Sequence, residues 1–220
     1  MELTKTEEDY LKALFHLIVE NEADKAGTNQ LAEYLGVSPA SANNMLKKLK
    51  GKALVDYEKY GKLELADKGK AIAVRLIRKH RLWETFLCQH MNFTWDEVHE
   101  VAEQLEHIQS PKLIAELDKF LGFPSRDPHG AIIPGADGAY DTPPKASLSS
   151  LKAGDVCRLV AVNDSSESLL RYASRLGLSL NSEILVEEIH EFDSSMAIVV
   201  AGVSTMVSKQ FADHVFVEKL

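Results

Sequence analysis

The chain has 220 residues, of which 45% are hydrophobic and 26% charged, a composition typical of globular domains and unlike that of disordered or fibrous chains. Its first residues, MELTKTEEDY, lack the basic-then-apolar pattern of a signal peptide, and no apolar run approaches the ~18 residues that span a membrane. We therefore expect a cytoplasmic protein without a membrane partner. The isolated Cys88 and Cys157 predict buried thiols, not a disulfide or a thiolate zinc site.

The charge of the chain is distributed unevenly. A net charge of −8 by itself disfavours nucleic acid as a partner. Between Lys47 and Arg81, however, 12 Lys and Arg residues stand against four acidic ones. Such asymmetry is typical of a basic contact surface, so this segment can bind what the whole molecule would repel.

The first predicted helix has Thr6 as its N-cap and ends near Asn21, with apolar residues at helical spacing. Asp9 lies at the capping-box position of that helix, which accounts for it without any further role. Its alternative role is that of a metal ligand.

The following segment, TNQLAEYLGVSPASANNMLKKLKGKALV, predicts a helix-turn-helix. Thr28 is expected to cap a short helix, and Gly36 to end it. Ser38, followed by a proline, begins a second helix that runs to about Lys50.

The second of these helices is the candidate recognition helix. Such a helix enters the major groove by its N-terminal residues, which should be small or polar, while later lysines reach phosphates. Ala40 is suited to a thymine methyl group and Asn44 to adenine; an exposed helix of no special role is the alternative. The candidate DNA contacts are Thr28, Ser38, Pro39, Ala40, Ser41, Asn43, Asn44, Lys47 and Lys48.

A two-stranded wing is predicted next, with strands around Leu54–Tyr57 and Lys62–Leu65 and a turn at Tyr60–Gly61. Side chains at the tip of a wing contact the DNA backbone, which adds affinity without sequence information. The candidates there are Lys59, Tyr60 and Lys62.

Imidazole and carboxylate groups recur in the middle of the chain. Asp67 is expected to cap a long helix to about His90, and the segment DEVHEVAEQLEH (96–107) predicts a helix with two histidines on its acidic face. These faces are either solvated or hold a metal; oxygen and nitrogen ligands without sulfur suit Mn(II) or Fe(II), although Zn(II) or Cu(II) binds more tightly in vitro. The candidate ligands are Asp9, His80, Glu84, His99, Glu103, Glu106 and His107.

Ser110 and Pro111 begin a third helix, predicted to end at Leu121. The apolar residues of this helical segment exceed what its own core needs, so a symmetric partner chain is expected to cover the rest. They are Leu87, Trp95, Leu105, Leu113, Leu117 and Phe120.

The C-terminal third begins with the segment 122–146, which is rich in Pro and Gly and predicts a surface linker. The segments DVCRLVAV, EILVEEIH, MAIVVAG and HVFVEKL predict short strands, and Glu167–Leu176 predicts one helix. Together they predict a small β-barrel.

Four segments carry a family resemblance: TEEDYLKALFHL, VSPASANNMLKKLKGKALV, RKHRLWETFL and VHEVAEQLEHIQSPKL. In this order the chain resembles the DtxR/MntR family of metal-dependent transcriptional repressors, in particular its three-domain, manganese-responsive type. The resemblance implies a mainly α fold with a small β part. It implies a winged helix-turn-helix domain (1–73), a helical dimerisation and metal-binding domain (74–123), the linker (124–146) and an SH3-like, FeoA-like β-barrel domain (147–220).

The resemblance also assigns ligands. A primary activating site would contain Asp9, Glu103, Glu106 and His107. An ancillary site would contain His80, Glu84 and His99, with Asp127, His129 and Asp164 added by the resemblance to the three-domain type; a turn or capping role is the alternative for these last three. Carboxylates at 9 and 103, where the iron-responsive branch has Met and Cys, favour manganese. Lys12 stands where two-domain manganese regulators have a bridging Glu, which argues against a binuclear site.

The expected function is a Mn(II)-dependent, or Fe(II)-dependent, repressor that binds palindromic double-stranded operators as a homodimer and takes no small organic substrate. Zn(II) or Co(II) can replace the metal in vitro. A metal-independent winged-helix protein is one alternative. A di-metal carboxylate enzyme is another, but its Glu-x-x-His motif occurs only at Glu187–His190, in a predicted strand, so we expect no enzyme.

Overall fold

The computed structural model describes residues 3–20, 26–57, 62–141, 146–163 and 167–220. The chain divides into two compact units. The first comprises Met1–His80, Glu106–Gln109 and Pro134–Thr142, and the second comprises Arg81–Leu105, Ser110–Ile133 and Pro143–Leu220.

The first half of the chain is mainly α-helical, and the second half is mainly β. The helices are α1 (Lys5–Phe15, extended by a π-helical turn His16–Glu20), α2 (Thr28–Tyr34), α3 (Pro39–Gly51), α4 (Asp67–His90), α5 (Val98–Leu105), α6 (Pro111–Phe120), α7 (Glu167–Arg175) and α8 (Lys209–Asp213). The strands are β1 (Val55–Tyr57), β2 (Leu63–Leu65), β3 (Ala146–Ser147), β4 (Val156–Val162), β5 (Glu183–Ile189), β6 (Met196–Val200), β7 (Val203–Val207) and β8 (Val215–Lys219).

The first unit is the predicted winged helix-turn-helix. Its core contains Leu11 and Leu14 of α1, Leu31 of α2, and Leu46 and Leu49 of α3, all fully buried. The antiparallel pair β1–β2 forms the wing. Lys59, Tyr60 and the turn at 60–61 lie outside the described residues.

The helix caps of the first unit correct two predictions and confirm one. Thr4, not Thr6, caps α1, because Thr4 and Glu7 satisfy each other's backbone N–H groups in a reciprocal capping box. Gly27, not Thr28, caps α2. Ser38 caps α3 as predicted, with its hydroxyl accepting the N–H of Ser41.

Glu7 is fully buried yet charged. Burial by itself would raise its pKa, but the ammonium groups of Lys52 and Lys48 and the backbone N–H of Thr4 outweigh that effect and lower the pKa to about 2. Glu7 is therefore a carboxylate at neutral pH.

The acidic helix is shorter than predicted. It ends at Leu105, so Glu106 and His107 lie in the turn that follows and do not share a helical face with His99 and Glu103. The side chains of Glu106 and His107 contact Lys12 and Glu8 of α1, and these tertiary contacts decide their position in place of helical periodicity.

In the second unit, the end of α4 packs with α5 and α6 around a core of Leu82, Leu87, Val98, Ala102 and Leu117. Ser110 caps α6, with Pro111 as its first residue, as predicted.

The proline- and glycine-rich segment is not the predicted surface linker throughout. Asp127, His129 and Ile133 are buried, and the N–H of Val162 donates to the carbonyl of His129 (2.9 Å). Gly130 has a φ of +87°, and a Cβ there would lie 2.1 Å from the carbonyl oxygen of residue 160. Only glycine fits so close to strand β4, so this part of the segment is packed against the C-terminal sheet.

The C-terminal sheet has the strand order β3-β8-β4-β5-β6-β7 within the described residues, and all its pairs are antiparallel. Register shifts in the β4–β8 and β5–β6 pairs bend it around its own core, which the two short helices α7 and α8 complete. The predicted small β domain with a helix near 167–176 is thus confirmed, with the strands β3 and β7 and the helix α8 as additions.

Across the described ranges, every helix is too short or too polar to cross a lipid bilayer. Both cysteines are free thiols; Cys157 is buried as predicted, whereas Cys88 is only half-buried. Burial raises the pKa of Cys88, and it raises the pKa of Cys157 to about 11.

We expect the native protein to resist thiol alkylation. With a pKa of about 11, only about 0.1% of Cys157 is thiolate at pH 8, and the thiolate is the reactive form. Iodoacetamide at pH 8, followed by mass spectrometry of peptides, should modify Cys157 only after denaturation. Rapid modification of Cys157 in the native protein would contradict the buried position.

Candidate metal centre

Two carboxylates and one imidazole converge in the first unit, from α1 and from the turn after α5. The Asp9 Oδ1 atom lies 3.0 Å from His107 Nε2, which in turn lies 3.8 Å from Glu106 Oε1. One ligand atom from each residue falls within 4.8 Å of the other two. We call these three residues the Asp9 cluster.

A second layer of groups orients His107. Its Nδ1–H donates to Glu8 Oε2 (2.6 Å), since a carboxylate can only accept, and Gln109 Nε2 donates to Glu8 Oε1 (3.0 Å). With Nδ1 carrying the proton, the lone pair of a neutral ring is on Nε2, the atom that faces Asp9 and Glu106. Carboxylate–histidine pairs of this kind fix the ring at metal sites.

Lys12 places an ammonium group next to the Asp9 cluster. Its buried Nζ donates to Glu106 Oε2 (2.8 Å) and lies 3.1 Å from His80 Nδ1. His80 Nδ1 is also 2.5 Å from Glu106 Oε2. One oxygen of Glu106 is therefore compensated inside the protein, and the other faces the cluster.

The Asp9 cluster fits a divalent cation. Glu106 Oε1 and His107 Nε2 are buried and accept no hydrogen bond from the part of the chain that the structure describes, which is costly for polar atoms unless a ligand completes them. Two oxygens and one nitrogen, without a thiolate, form a donor set for Mn(II) or Fe(II). The ammonium group of Lys12 occupies the opposite side of Glu106, where a second cation would be repelled.

A second group of three donors lies in the second unit. Glu84 of α4 converges with Asp127 and His129 of the packed 126–134 segment, with ligand atoms within 4.8 Å of one another. All three are buried. His129 Nδ1 is 3.8 Å from Glu84 Oε2. We call these residues the Glu84 cluster.

Backbone groups and one arginine hold the Glu84 cluster in place. His129 Nε2–H donates to the carbonyl of Trp95 (3.0 Å), which leaves Nδ1 facing Glu84 in a neutral ring. Asp127 Oδ1 accepts the backbone N–H groups of His129 and Ala131, both at 2.9 Å. Arg81 Nε lies 3.5 Å from the other oxygen, Asp127 Oδ2.

Among the remaining predicted ligands, His99 pairs with two carboxylates. His99 Nδ1 lies 3.3 Å from Glu84 Oε1, and its Nε2 lies 3.6 Å from Glu103 Oε1, all within the second unit. His80 belongs to the first unit, beside Glu106. Asp164 lies outside the described residues.

The sequence did not predict three contacts around the Asp9 cluster: those of Glu8 and Gln109, and the pairing of Lys12 with Glu106. Glu8 is adjacent to Asp9 in an acidic first turn, where helix capping already explains acidic residues. Only the tertiary contact with His107, 99 residues along the chain, reveals its role.

The predicted DNA contacts lie on the surface of α3. Ser38, Pro39 and Ala40 are exposed at its start, and Asn43 is half-buried. Thr28 is half-buried in the first turn of α2. The other exposed candidates are Ser41, Asn44, Lys47, Lys48 and Lys62.

Three family models together match nearly the whole chain: the N-terminal DNA-binding domain of iron-dependent repressors at residues 2–63, their metal-binding and dimerisation domain at 66–135, and the FeoA domain at 146–219. The HTH-type transcriptional regulator MntR of Oceanobacillus iheyensis is 35% identical over 104 residues, 47% of this chain and 69% of that protein. The chain belongs to the DtxR/MntR family. This is a family of metal-dependent transcriptional repressors, not of enzymes.

Other DtxR/MntR relatives agree with this assignment. The iron-dependent repressor IdeR of Mycobacterium tuberculosis is 34% identical over 134 residues, 61% of this chain. The match covers 57% of the length of IdeR and, for the diphtheria toxin repressor of Corynebacterium jeikeium, 62%, so the chain spans about 60% of these curated relatives. A solved manganese-dependent transcriptional repressor in complex with manganese is 37% identical, with a TM-score of 0.88, and the match covers 97% of this chain and 100% of that one.

Replacing Lys12 by Met should destabilise the metal-free protein, because Glu106 would keep a buried charge without its ammonium partner. We expect the free energy of unfolding in EDTA to fall by about 3 kcal/mol. Urea denaturation followed by circular dichroism measures it, with Lys152→Met at an exposed position of the second unit as a matched control. Equal stability of the two variants would contradict the pairing.

Proposed function

We propose that this protein is a metal(II)-activated repressor that binds operator DNA as a homodimer and that the Asp9 cluster, with Glu103 as the fourth predicted ligand, is its activating site. The observation that carries the proposal is a pair of buried acceptor atoms near Asp9, Glu106 Oε1 and His107 Nε2, which accept no hydrogen bond from any residue described in the structure. Such a protein acts on DNA in the cytoplasm.

In the proposed mechanism, metal binding fixes the position of α1. When bound, a divalent cation supplies the positive charge that lets Asp9, Glu106 and His107 remain close together. Asp9 belongs to α1, so filling the cluster fixes α1 to the turn that follows α5. Leu11 and Leu14 pass this constraint to α3, because they share one core with its apolar face. Fixed recognition helices suit two half-sites at a defined spacing.

Manganese is the proposed physiological metal, with Fe(II) as the alternative. Every donor in the Asp9 cluster and the Glu84 cluster is a carboxylate oxygen or an imidazole nitrogen, and harder donors favour Mn(II) over thiophilic metals. A solved structure that this chain covers over its whole length is a manganese-dependent repressor in complex with manganese. Zn(II) and Co(II) are expected to replace it in vitro. The Glu84 cluster, together with His80, His99 and Asp164, is proposed as the ancillary site.

The dimer is proposed to form through α4 and α6. Phe120 is 63% exposed, and it lines an apolar cleft with Trp83, Phe86, Leu113 and Leu117. Exposed aromatic surface of this kind is typical of a subunit interface. Each subunit would then present one α3 to the DNA.

A metal-independent winged-helix protein is the second candidate. The observation in its favour is Lys12, which already compensates one oxygen of Glu106 without any metal. The two candidates differ in whether operator binding requires the Asp9 cluster to be filled.

Metal should raise operator affinity. Because the operator is unknown, a duplex is first selected from a random 30-base-pair library with the protein and MnCl2, and its affinity is then titrated separately with Mn(II), Fe(II) and Zn(II). We expect Mn(II) to increase affinity about 5- to 150-fold over EDTA, the usual range of allosteric coupling.

Variants of the Asp9 cluster should lose this metal response. We expect Glu106→Gln and His107→Ala to bind the selected duplex in MnCl2 only as tightly as the wild type does in EDTA. Glu188→Gln, on the exposed surface of β5, is the control and should respond fully. A wild type that binds the duplex equally in MnCl2 and in EDTA would support the metal-independent candidate. If both cluster variants keep the full response, the activating site lies elsewhere in the protein.

Replacing Phe120 by Glu should weaken the dimer, since it buries a charge in the proposed apolar interface. Sedimentation velocity at about 10 μM should show a monomer and a loss of operator binding. Phe192→Glu, at a fully exposed position in the β domain, makes the same chemical change and should leave the dimer intact. If both variants sediment as the wild-type dimer does, the interface lies elsewhere.

A further inference from the structure

Glu7 joins the helix that carries Asp9 to the recognition helix. Its Oε1 atom lies 2.5 Å from Lys52 Nζ and 3.3 Å from Lys48 Nζ, while its other oxygen accepts the backbone N–H of Thr4 (2.9 Å). Glu7 is fully buried, and Lys48 and Lys52 lie at and just after the C-terminal end of α3. This contact is an ionic link between α1 and α3, in addition to their shared apolar core.

The position of Glu7 along α1 makes this link relevant to regulation. Glu7 and Asp9 are two residues apart in the first turns of one rigid helix, so they point in different directions and move together. Asp9 faces Glu106 and His107, and Glu7 faces α3. A constraint at the Asp9 cluster is therefore also a constraint on the partners of Glu7.

Lys48 pairs with Glu7 here and could instead pair with a DNA phosphate. Its side chain is 51% exposed, so it can turn outward, and α3 presents it on the surface together with Lys47. A phosphate of DNA and the Glu7 carboxylate would compete for its single ammonium group. Lys52 is more enclosed, with 25% of its side chain exposed, and it is closer to Glu7.

We propose that Glu7 is a positioning residue that couples the Asp9 cluster to DNA binding by holding Lys52 and by controlling whether Lys48 is available to phosphate. This inference rests on the proposed function and names one route of its regulation. Without a fixed α1, Glu7 keeps Lys48 turned inward. With α1 fixed, Lys52 alone holds Glu7, and Lys48 reaches the DNA backbone.

Glu7→Gln tests the proposal with little risk to folding, because Gln also satisfies the capping box at this position. In EDTA we expect its affinity for the selected duplex to rise about fivefold, as expected for one added surface ion pair per subunit. The slope of log K against log salt should steepen by about 0.9 for each released lysine, or about two per dimer. The gain in affinity on adding MnCl2 should shrink accordingly.

Two further variants separate this role from a merely structural one. Glu33→Gln, at an exposed position of α2, makes the same change in charge and should leave the slope and the manganese response as in the wild type. In a Lys48→Met background, Glu7→Gln should no longer change the salt slope, because the lysine that it releases is gone.

The outcomes are distinguishable. A wild type that binds the duplex equally with and without Mn(II) overturns the proposed function itself. A wild type with a manganese response, together with a Glu7→Gln variant whose metal-free affinity, salt slope and response match those of Glu33→Gln, overturns the role of Glu7. Equal loss of affinity with and without metal also overturns it. If Glu7→Gln does not fold, Lys52→Met provides the same test, and an unchanged manganese response in that variant overturns the proposal.

Discussion

The first unit depends on an electrostatic requirement: Asp9, Glu106 and His107 are brought together from chain segments nearly one hundred residues apart. Two carboxylates at this distance repel each other unless a positive charge lies among or beside them. Lys12 meets half of the requirement from inside the protein, through one oxygen of Glu106. The other oxygen of Glu106 faces the cluster, where a divalent cation would supply the missing positive charge. Because Asp9 lies on α1, such a cation would act on a helix near the start of the described chain.

The surrounding residues turn a cluster of donors into a directed site. Glu8 and Gln109 fix the ring of His107 so that Nε2 faces the two carboxylates. On the other side of α1, Glu7 faces α3. A single short helix thus carries a donor, the group that orients another donor, and the ionic contact with α3, the proposed recognition helix.

Local chemistry made the winged helix predictable from sequence. Ser38 followed by proline marks the start of α3 with a cap and a preset φ, and the spacing of Leu46 and Leu49 fixes its inward face. The same local rules failed at the start of α1, where two residues could serve as the N-cap. Thr4 and Thr6 are both plausible caps, and only the reciprocal pairing of Thr4 with Glu7 selects the first.

The candidate site could be predicted as a set of residue types but not as a geometry. The donors were recognisable as carboxylates and imidazoles, and the resemblance to the family grouped them. The end of α5 at Leu105, the burial of Asp127 and His129 in a segment with a linker's composition, and the pairing of Lys12 all arise from contacts distant in sequence. Helical periodicity and composition carry no information about such contacts.

The most direct measurement is an anomalous difference map from crystals grown in MnCl2, with data collected near the manganese absorption edge. The account predicts a strong peak within coordination distance of Asp9, Glu106 Oε1 and His107 Nε2, with Lys12 still paired to the other oxygen of Glu106. A map without a peak there, with Glu106 and His107 turned toward bulk solvent, would contradict it.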